Sequence, residues 1–275
     1  MSQISIGSSK ITTVAVGAGA ELLLQSGPCV IENRDLCFSI AEKLKTLCER
    51  LSIGYVFKVS FDKANRTRLD SFRGPGLDEG LRVLEAVKQE FDVPVVSDIH
   101  LPEQAESAGQ VLDVIQIPAF LTRQTDLLVA AARTGKVIQV KKAQFMAPWD
   151  MSHVVGKLRD SGCERIILVE RGSSFGYNRL ICDLTAIAEM QALSCPVLLD
   201  ATHSTQQPSA AGGISGGSAE MGKLLAKAGI AAGADGLFIE THPDPTNALS
   251  DAASMIPLAD MEALLQTCCN IYQVR

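Results

Sequence analysis

Eight short apolar runs recur along this chain from residue 22 onward, each carrying a polar or ionisable residue at or near its end and leading toward helical periodicity. They are Leu22–Cys29, Tyr55–Phe61, Pro94–His100, Val114–Ala119, Val137–Ala143, Arg165–Arg171, Pro196–His203 and Gly236–His242. Strands joined by helical crossovers lie parallel in one sheet, and near-continuous apolar strands are those covered on both faces. Eight such units fit in 275 residues, about the length of one (β/α)8 barrel. An open doubly wound sheet is the rival arrangement, disfavoured because no glycine-rich dinucleotide fingerprint follows the first run. The expectation is a (β/α)8 TIM barrel built by residues 1–275 as a single domain. Residues 1–21, with Ile4, Ile6, Ile11, Val14 and Val16, form a short N-terminal β-hairpin ahead of it.

Asn33 stands where it can cap a helix whose apolar face is Leu36, Ile40, Leu44, Leu47 and Leu51, at steps of three and four. Further helices are expected at Asp78–Phe91, from a cap at Thr122 to Gly135, and at Trp149–Ser161 before Gly162. Others are expected near Leu180–Leu193, at Ala219–Ala232 and at Asp260–Asn270. Two connections, Arg171–Asn178 and Ser204–Ser218, have the composition of lids that fold over a substrate; the second carries Gly212, Gly213, Gly216 and Gly217.

A net charge of −6 and a pI near 5.3 speak against a nucleic-acid partner, whose binders carry a strong positive field. No run of eighteen apolar residues and no secretory leader is found, which points to a cytoplasmic protein without a membrane partner. Eight cysteines without a C-x-x-C spacing are expected as reduced, mostly buried thiols.

In a barrel of this kind the reactive groups stand at the C-terminal ends of the strands. Those ends carry Cys29, Lys58, Asp98 with His100, Gln116, Lys141, Arg171, His203 and Glu240. Just past Lys58, the segment Phe61-Asp-Lys-Ala-Asn-Arg-Thr-Arg68 offers Lys63, Asn65, Arg66 and Arg68, many donors and few acceptors, as a phosphate or carboxylate site would. Taken alone, that segment is an ordinary solvated basic loop. Lys58, Lys63, Lys141 and Arg171 together bring four positive charges to one mouth, where they would repel without an anionic ligand. Alternation along Val137–Lys141 turns Gln139 and Lys141 to the same face, and leaves Lys142 expected in solvent. A second set, Cys29, His203 and Glu240, ends strands one, seven and eight, which are neighbours once the sheet closes. With Asp251 from the loop after strand eight, this donor set suits zinc, ferrous iron or manganese. A buried cysteine beside a hydrogen-bonded histidine, with no metal, is the plainer alternative. His100, His153 and His242 are expected to be structural or exposed.

At these residues the chain resembles the 3-deoxy-D-manno-octulosonate 8-phosphate synthases. The resemblance rests on GPCVIE at 27–32, FKVSFDKANRT at 57–67, SFRGPG at 71–76, IQIPAFLTRQTDLL at 115–128, VKKAQFMAP at 140–148, ERGSSFGYN at 170–178 and DATHSTQQP at 200–208. It implies a homotetrameric barrel that condenses phosphoenolpyruvate with arabinose 5-phosphate and water, releasing phosphate. Lys58, Lys63, Asp98, Gln116, Lys141 and Arg171 would then serve phosphoenolpyruvate and its surroundings, and Asn65, Arg66 and Thr67 the sugar. Phe120 and Arg123 would reach the active site of an adjacent subunit. Lys58, Lys63, Lys141, His203 and Asp251 would be the catalytic groups. Cys29, where a metal-free branch has Asn, implies the metal-dependent branch, with His203, Glu240 and Asp251 as further ligands of a divalent ion. The related 3-deoxy-D-arabino-heptulosonate 7-phosphate synthases, which use erythrose 4-phosphate, are the alternative; they usually carry Lys-Pro-Arg-Thr where this chain has Lys63-Ala-Asn-Arg66. Two departures stand out. Arg68 replaces a common Ser, and Ala-Ala-Ser follows Asp251 in place of the Gly-Pro-Asn common in the metal-free branch.

Overall fold

The computed structural model describes residues 3–211 and 214–275, so Gly212 and Gly213 of the second expected lid lie outside the described residues. Eight parallel strands form the barrel: Leu23–Gly27, Gly54–Lys58, Val95–Asp98, Val114–Ile117, Val137–Lys141, Ile166–Glu170, Val197–Asp200 and Gly236–His242, here numbered one to eight. Each pairs with the next, and strand eight closes the ring on strand one through pairs that run from Gly236↔Leu23 to Glu240↔Gly27. Around it lie α1 Arg34–Leu51, α2 Leu77–Phe91, α3 Gln104–Val111, α4 Thr125–Arg133, α5 Met151–Asp160, α6 Thr185–Gln191, α7 Ala219–Ala231 and α8 Met261–Val274.

The period of two along each strand sorts its side chains into two layers. Val56, Val96, Val114, Val137, Ile167 and Leu198 turn inward and pack in the barrel's lower interior. Phe57, Val95, Ile115, Ile138, Leu168 and Leu199 turn outward beneath the helices. The expected N-terminal hairpin is present, Ile4–Ser8 against Ile11–Val16, and its Ile4, Ile6 and Val16 join the inner cluster. It therefore plugs the end of the barrel opposite the functional mouth. Thr12 fastens it from outside, its amide and hydroxyl both donating to the Asp92 carboxylate at 2.8 and 2.6 Å.

Asn33 does cap α1, its Oδ1 accepting from the Leu36 amide at 2.9 Å. The buried face of α1 is turned slightly from the expected one, toward Cys37, Ile40, Ala41, Leu44 and Cys48, with Leu36, Leu47 and Leu51 only partly covered. Thiols behave as small apolar groups, and counting only leucines and isoleucines misplaces the stripe. Thr122 does not cap α4, whose cap position is Gln124; the Thr122 hydroxyl lies 2.6 Å from the Lys141 carbonyl oxygen and so ties the loop to strand five. The helix expected near Leu180–Leu193 is shorter. Leu180–Ile181 pairs with Ser173–Ser174 as a ribbon, and Asp183 accepts from the Thr185 amide and hydroxyl where α6 begins. Helix α3 has no counterpart among the expected elements, because Gln-Ala-Glu-Ser-Ala-Gly carries little apolar periodicity to read. Among the described residues no cysteine is paired, and every one except the half-buried Cys182 is buried.

Candidate active site

Two residues beyond the inner apolar layer, the same inward face changes chemistry. Val56 is followed by Lys58, Val96 by Asp98, Val114 by Gln116, and Leu198 by Asp200. Strand five continues from Val137 through Gln139 to Lys141, and strand eight presents Phe238 and then Glu240. Above these groups a cavity of about 570 Å³ opens at the C-terminal ends of the strands. Lys58, Lys63, Asn65, Arg66, Thr67, Asp98, Gln116, Phe120, Lys141, Arg171, His203 and Asp251 all line it. Of the residues singled out from the sequence, Cys29 and Glu240 lie buried beside this cavity rather than lining it. Arg123 is separate: it lines another cavity of about 480 Å³, with Phe145, Met146, His153 and Lys157.

The cations converge as expected, but they are not left to repel one another. Lys58 Nζ is 2.6 Å from Glu240 Oε1, and Lys63 Nζ is 3.7 Å from the same oxygen. Lys141 Nζ is 2.5 Å from Asp200 Oδ2 and 3.7 Å from the centroid of the Phe238 ring. The expectation of unrelieved repulsion is therefore corrected by carboxylates, of which Asp200 is absent from the expected site residues. The signal for it is present in the sequence, since Asp200 is the first ionisable residue after the apolar run Val197-Leu-Leu. Burial favours a neutral Lys141 and outweighs the pull of Asp200, so its ammonium is held below the usual lysine range. Burial likewise acts to raise Asp200, but His203 and Lys141 outweigh it and hold the acid well below the usual carboxylate range.

Lys142 corrects the expectation outright. It is fully buried on the outward face of strand five, 3.5 Å from Glu170 Oε2, and not in solvent. Arg171 is also buried. Its Nη2 donates to Gln206 Oε1 at 2.9 Å, while Nη1 is buried with no hydrogen-bond partner among the described residues. A buried guanidinium N–H without an acceptor is costly, and an anionic ligand in the cavity would relieve it. Asp98 sits opposite, with its Oδ1 accepting from the Ser60 hydroxyl and its Oδ2 2.9 Å from His100 Nε2. His100 thus lines the cavity as the partner of Asp98.

The second set also comes together. Ligand atoms of Cys29, Glu240 and Asp251 all lie within 4.8 Å of one another. His203 Nε2 is 3.5 Å from both Glu240 Oε2 and Asp251 Oδ2. Its other nitrogen, Nδ1, lies 2.8 Å from Asp200 Oδ2; burial disfavours the imidazolium, but the charges of Asp200 and Glu240 outweigh it and hold His203 above its ordinary range. Glu240 Oε2 is buried and has no hydrogen-bond partner among the described residues. Burial, then the charge of Glu240, push the Cys29 thiol well above its ordinary range. A divalent cation at this point would reverse that balance and satisfy the Glu240 oxygen. The residues present fit a metal of intermediate softness: one sulfur, one imidazole nitrogen and two carboxylates. Asp251 is held by a backbone in the left-handed region, φ 48°, unusual for a residue other than glycine. Ser250, which carries no sequence signal of its own, lies with its hydroxyl 2.9 Å from Cys29 Sγ.

Comparison with known proteins agrees with this geometry. The family model described as the DAHP synthetase I family matches residues 3–273. A 2-dehydro-3-deoxyphosphooctonate aldolase of Trichlorobacter lovleyi is 54% identical over 264 residues, covering 96% of this chain and 95% of the relative. Proteins of the same name from Desulfotalea psychrophila and Protochlamydia amoebophila are 54% and 52% identical, covering 92% and 94% of this chain and 90% and 94% of their own lengths. The chain belongs to the DAHP synthetase I family, on the side of the 2-dehydro-3-deoxyphosphooctonate aldolases, that is, the 3-deoxy-D-manno-octulosonate 8-phosphate synthases.

Proposed function

We propose that this protein condenses phosphoenolpyruvate with D-arabinose 5-phosphate and water to give 3-deoxy-D-manno-octulosonate 8-phosphate and phosphate. The observation that carries the reading is the cavity at the barrel mouth, where Lys58, Lys63, Lys141 and Arg171 meet and one Arg171 N–H has no acceptor among the described residues. Phosphoenolpyruvate brings a phosphate and a carboxylate on three carbons, and these cations receive both. Fixed in this way, its carbon 3 faces the aldehyde of the sugar, forms the new carbon–carbon bond, and leaves carbon 2 open to water. Loss of phosphate from carbon 2 then gives the keto acid. Holding both reactants in line replaces a collision in solution, and buried charges that need no reorganisation stabilise the charge that develops. Asn65, Arg66 and Thr67, which line the same cavity, hold the sugar.

Cys29, His203, Glu240 and Asp251 hold a divalent ion, zinc, ferrous iron or manganese. When bound, such an ion supplies Lewis acidity toward an aldehyde oxygen or a water. Asp200, 2.8 Å from His203 Nδ1, would orient the ring so that Nε2 lies on the side of Glu240 and Asp251. The protein acts in the cytoplasm as a homotetramer in which Phe120 and Arg123 serve the neighbouring subunit's site. For Arg123 that arrangement is supported by its lining a separate cavity with the exposed Phe145; Phe120, also exposed, lines this chain's own cavity. The test is phosphate release with both substrates, before and after chelation. Release that needs both substrates, is lost on chelation and returns with a transition-metal ion is the expected result. Full turnover in metal-stripped protein would remove the metal from the account, and no release with any aldose phosphate would remove the reaction.

A further inference from the structure

Strands five and six each end in a pair of ionisable residues facing opposite ways. Lys141 and Arg171 turn into the mouth; Lys142 and Glu170 turn outward, beneath the connections that follow. The two strands are direct neighbours, with Lys141↔Val169 in register and the Lys142 amide donating to the Val169 carbonyl at 2.9 Å. Both outward residues have no exposed surface, and their charged atoms lie 3.5 Å apart. Removing an ammonium and a carboxylate from water costs several kcal/mol each, and an apolar pair of the same size commonly stabilises a fold as well or better. Stability alone is therefore a poor reason for this pair.

Directional bonds are what an apolar pair lacks, and these two residues make them to two turns. Lys142 Nζ donates to the Ser173 hydroxyl at 2.9 Å and lies 3.4 and 3.5 Å from the carbonyl oxygens of Ala143 and Met146. It thus ties down the turn after strand five and reaches the turn after strand six. Glu170 Oε1 accepts from the Gly172 amide at 2.7 Å, fixing the first turn after strand six, where Gly172 adopts φ 88°. A further bond joins the turns, from the Ser174 amide to the Gln144 carbonyl at 2.9 Å. Burial pushes the Glu170 carboxyl up, partly countered by Lys142 and the Gly172 amide.

We propose that Lys142 and Glu170 are positioning residues for phosphoenolpyruvate, fixing through the two turns the aim of the Lys141 ammonium and the Arg171 guanidinium without touching the ligand. The inference rests on the proposed function for the identity of that ligand. Displacing a cation by about an ångström at such a site is enough to cost a large factor in binding or rate. The bonds of this pair run to the turns after strands five and six and not to the segment carrying Asn65 and Arg66, so the sugar should be much less affected.

The test compares the unaltered protein with Lys142→Met, Lys142→Arg and the double replacement Lys142→Met/Glu170→Met, by steady-state kinetics, calorimetric titration with phosphoenolpyruvate and thermal melting. Lys142→Met alone leaves a buried carboxylate unpaired and should melt early. The double replacement leaves no charge behind and should melt near the unaltered protein. Its KM and Kd for phosphoenolpyruvate should nevertheless rise at least about fivefold, while KM for arabinose 5-phosphate moves less than about twofold. If the double replacement does not fold, Lys142→Arg, which keeps the charge but changes the donor geometry, should show the same one-sided loss. A folded variant with unchanged phosphoenolpyruvate affinity overturns the inference and leaves the pair a structural one. Equal loss for both substrates overturns it too. Unaltered protein that fails to bind phosphoenolpyruvate would bring down the proposed function along with the inference; normal binding there, with equal binding in the folded variants, brings down the inference alone.

Discussion

Lys141 shows how one residue's surroundings set what its removal should do. Its ammonium is held between Asp200 and the Phe238 ring, at 2.5 and 3.7 Å, and faces the cavity. A charge-assisted hydrogen bond to a ligand contributes roughly 1.5–3 kcal/mol, so Lys141→Ala is expected to lower kcat/KM by about ten- to a hundredfold for each such bond it removes. Asp200 keeps His203 as a partner, so melting should shift only modestly. Kinetics and melting on the same preparation check this; an unfolded variant that kept its specific activity would mark Lys141 as a structural residue. Which residues of this site are legible in the sequence depends on where their sign can be read. Lys58, Asp98, Gln116, Lys141, Arg171, His203 and Glu240 stand out because each ends an apolar run. Asp200 is masked by the histidine three residues later, which closes the same run, although it is the first ionisable residue after Val197-Leu-Leu. Lys142 is misplaced for a different reason. Period two says only that it faces away from Lys141, and whether that face meets water or a buried acid is decided by Glu170, a residue on another strand.

Elements are legible in their interiors and poorly so at their ends. All eight barrel strands and the α1, α2, α4, α5, α7 and α8 helices follow from periodicity, since burial of one face is a property of the sequence itself. Ends depend on partners that are distant in the chain. Thr122 illustrates this: its position before an apolar periodic run suits a cap, yet its hydroxyl is taken by the Lys141 carbonyl on strand five. Thr122→Val, which keeps the shape and removes the donor, is therefore expected to cost about 1–3 kcal/mol of stability. Urea unfolding checks it; a capping role would instead show as local fraying of α4 with strand five undisturbed. The ribbon of Leu180–Ile181 against Ser173–Ser174 is likewise invisible in the sequence, because two-residue strands carry no period to read.

The whole molecule joins a catalytic end to a plugged end. Ile4, Ile6 and Val16 complete the inner cluster below the charged layer, so we propose that residues of the hairpin and the barrel unfold as one unit. Ile6 is fully buried, and Ile6→Ala should cost about 2–5 kcal/mol while preserving a single transition. Two separate transitions by calorimetry would show the hairpin to be an independent appendage. The central claim concerns the other end and the length of the sugar it accepts. A five-carbon aldose phosphate carries its phosphate one carbon farther from the aldehyde than a four-carbon one. If Asn65 holds the sugar as proposed, it adds a donor and an acceptor on that path, where the heptulosonate synthases usually carry a ring-constrained proline. Misplacing one charge-assisted phosphate bond costs roughly 1.5–3 kcal/mol. The most direct measurement is kcat/KM for phosphate release from phosphoenolpyruvate with arabinose 5-phosphate and with erythrose 4-phosphate under the same conditions. Arabinose 5-phosphate is expected to be preferred by at least about tenfold; an equal or greater value for erythrose 4-phosphate would contradict the assignment.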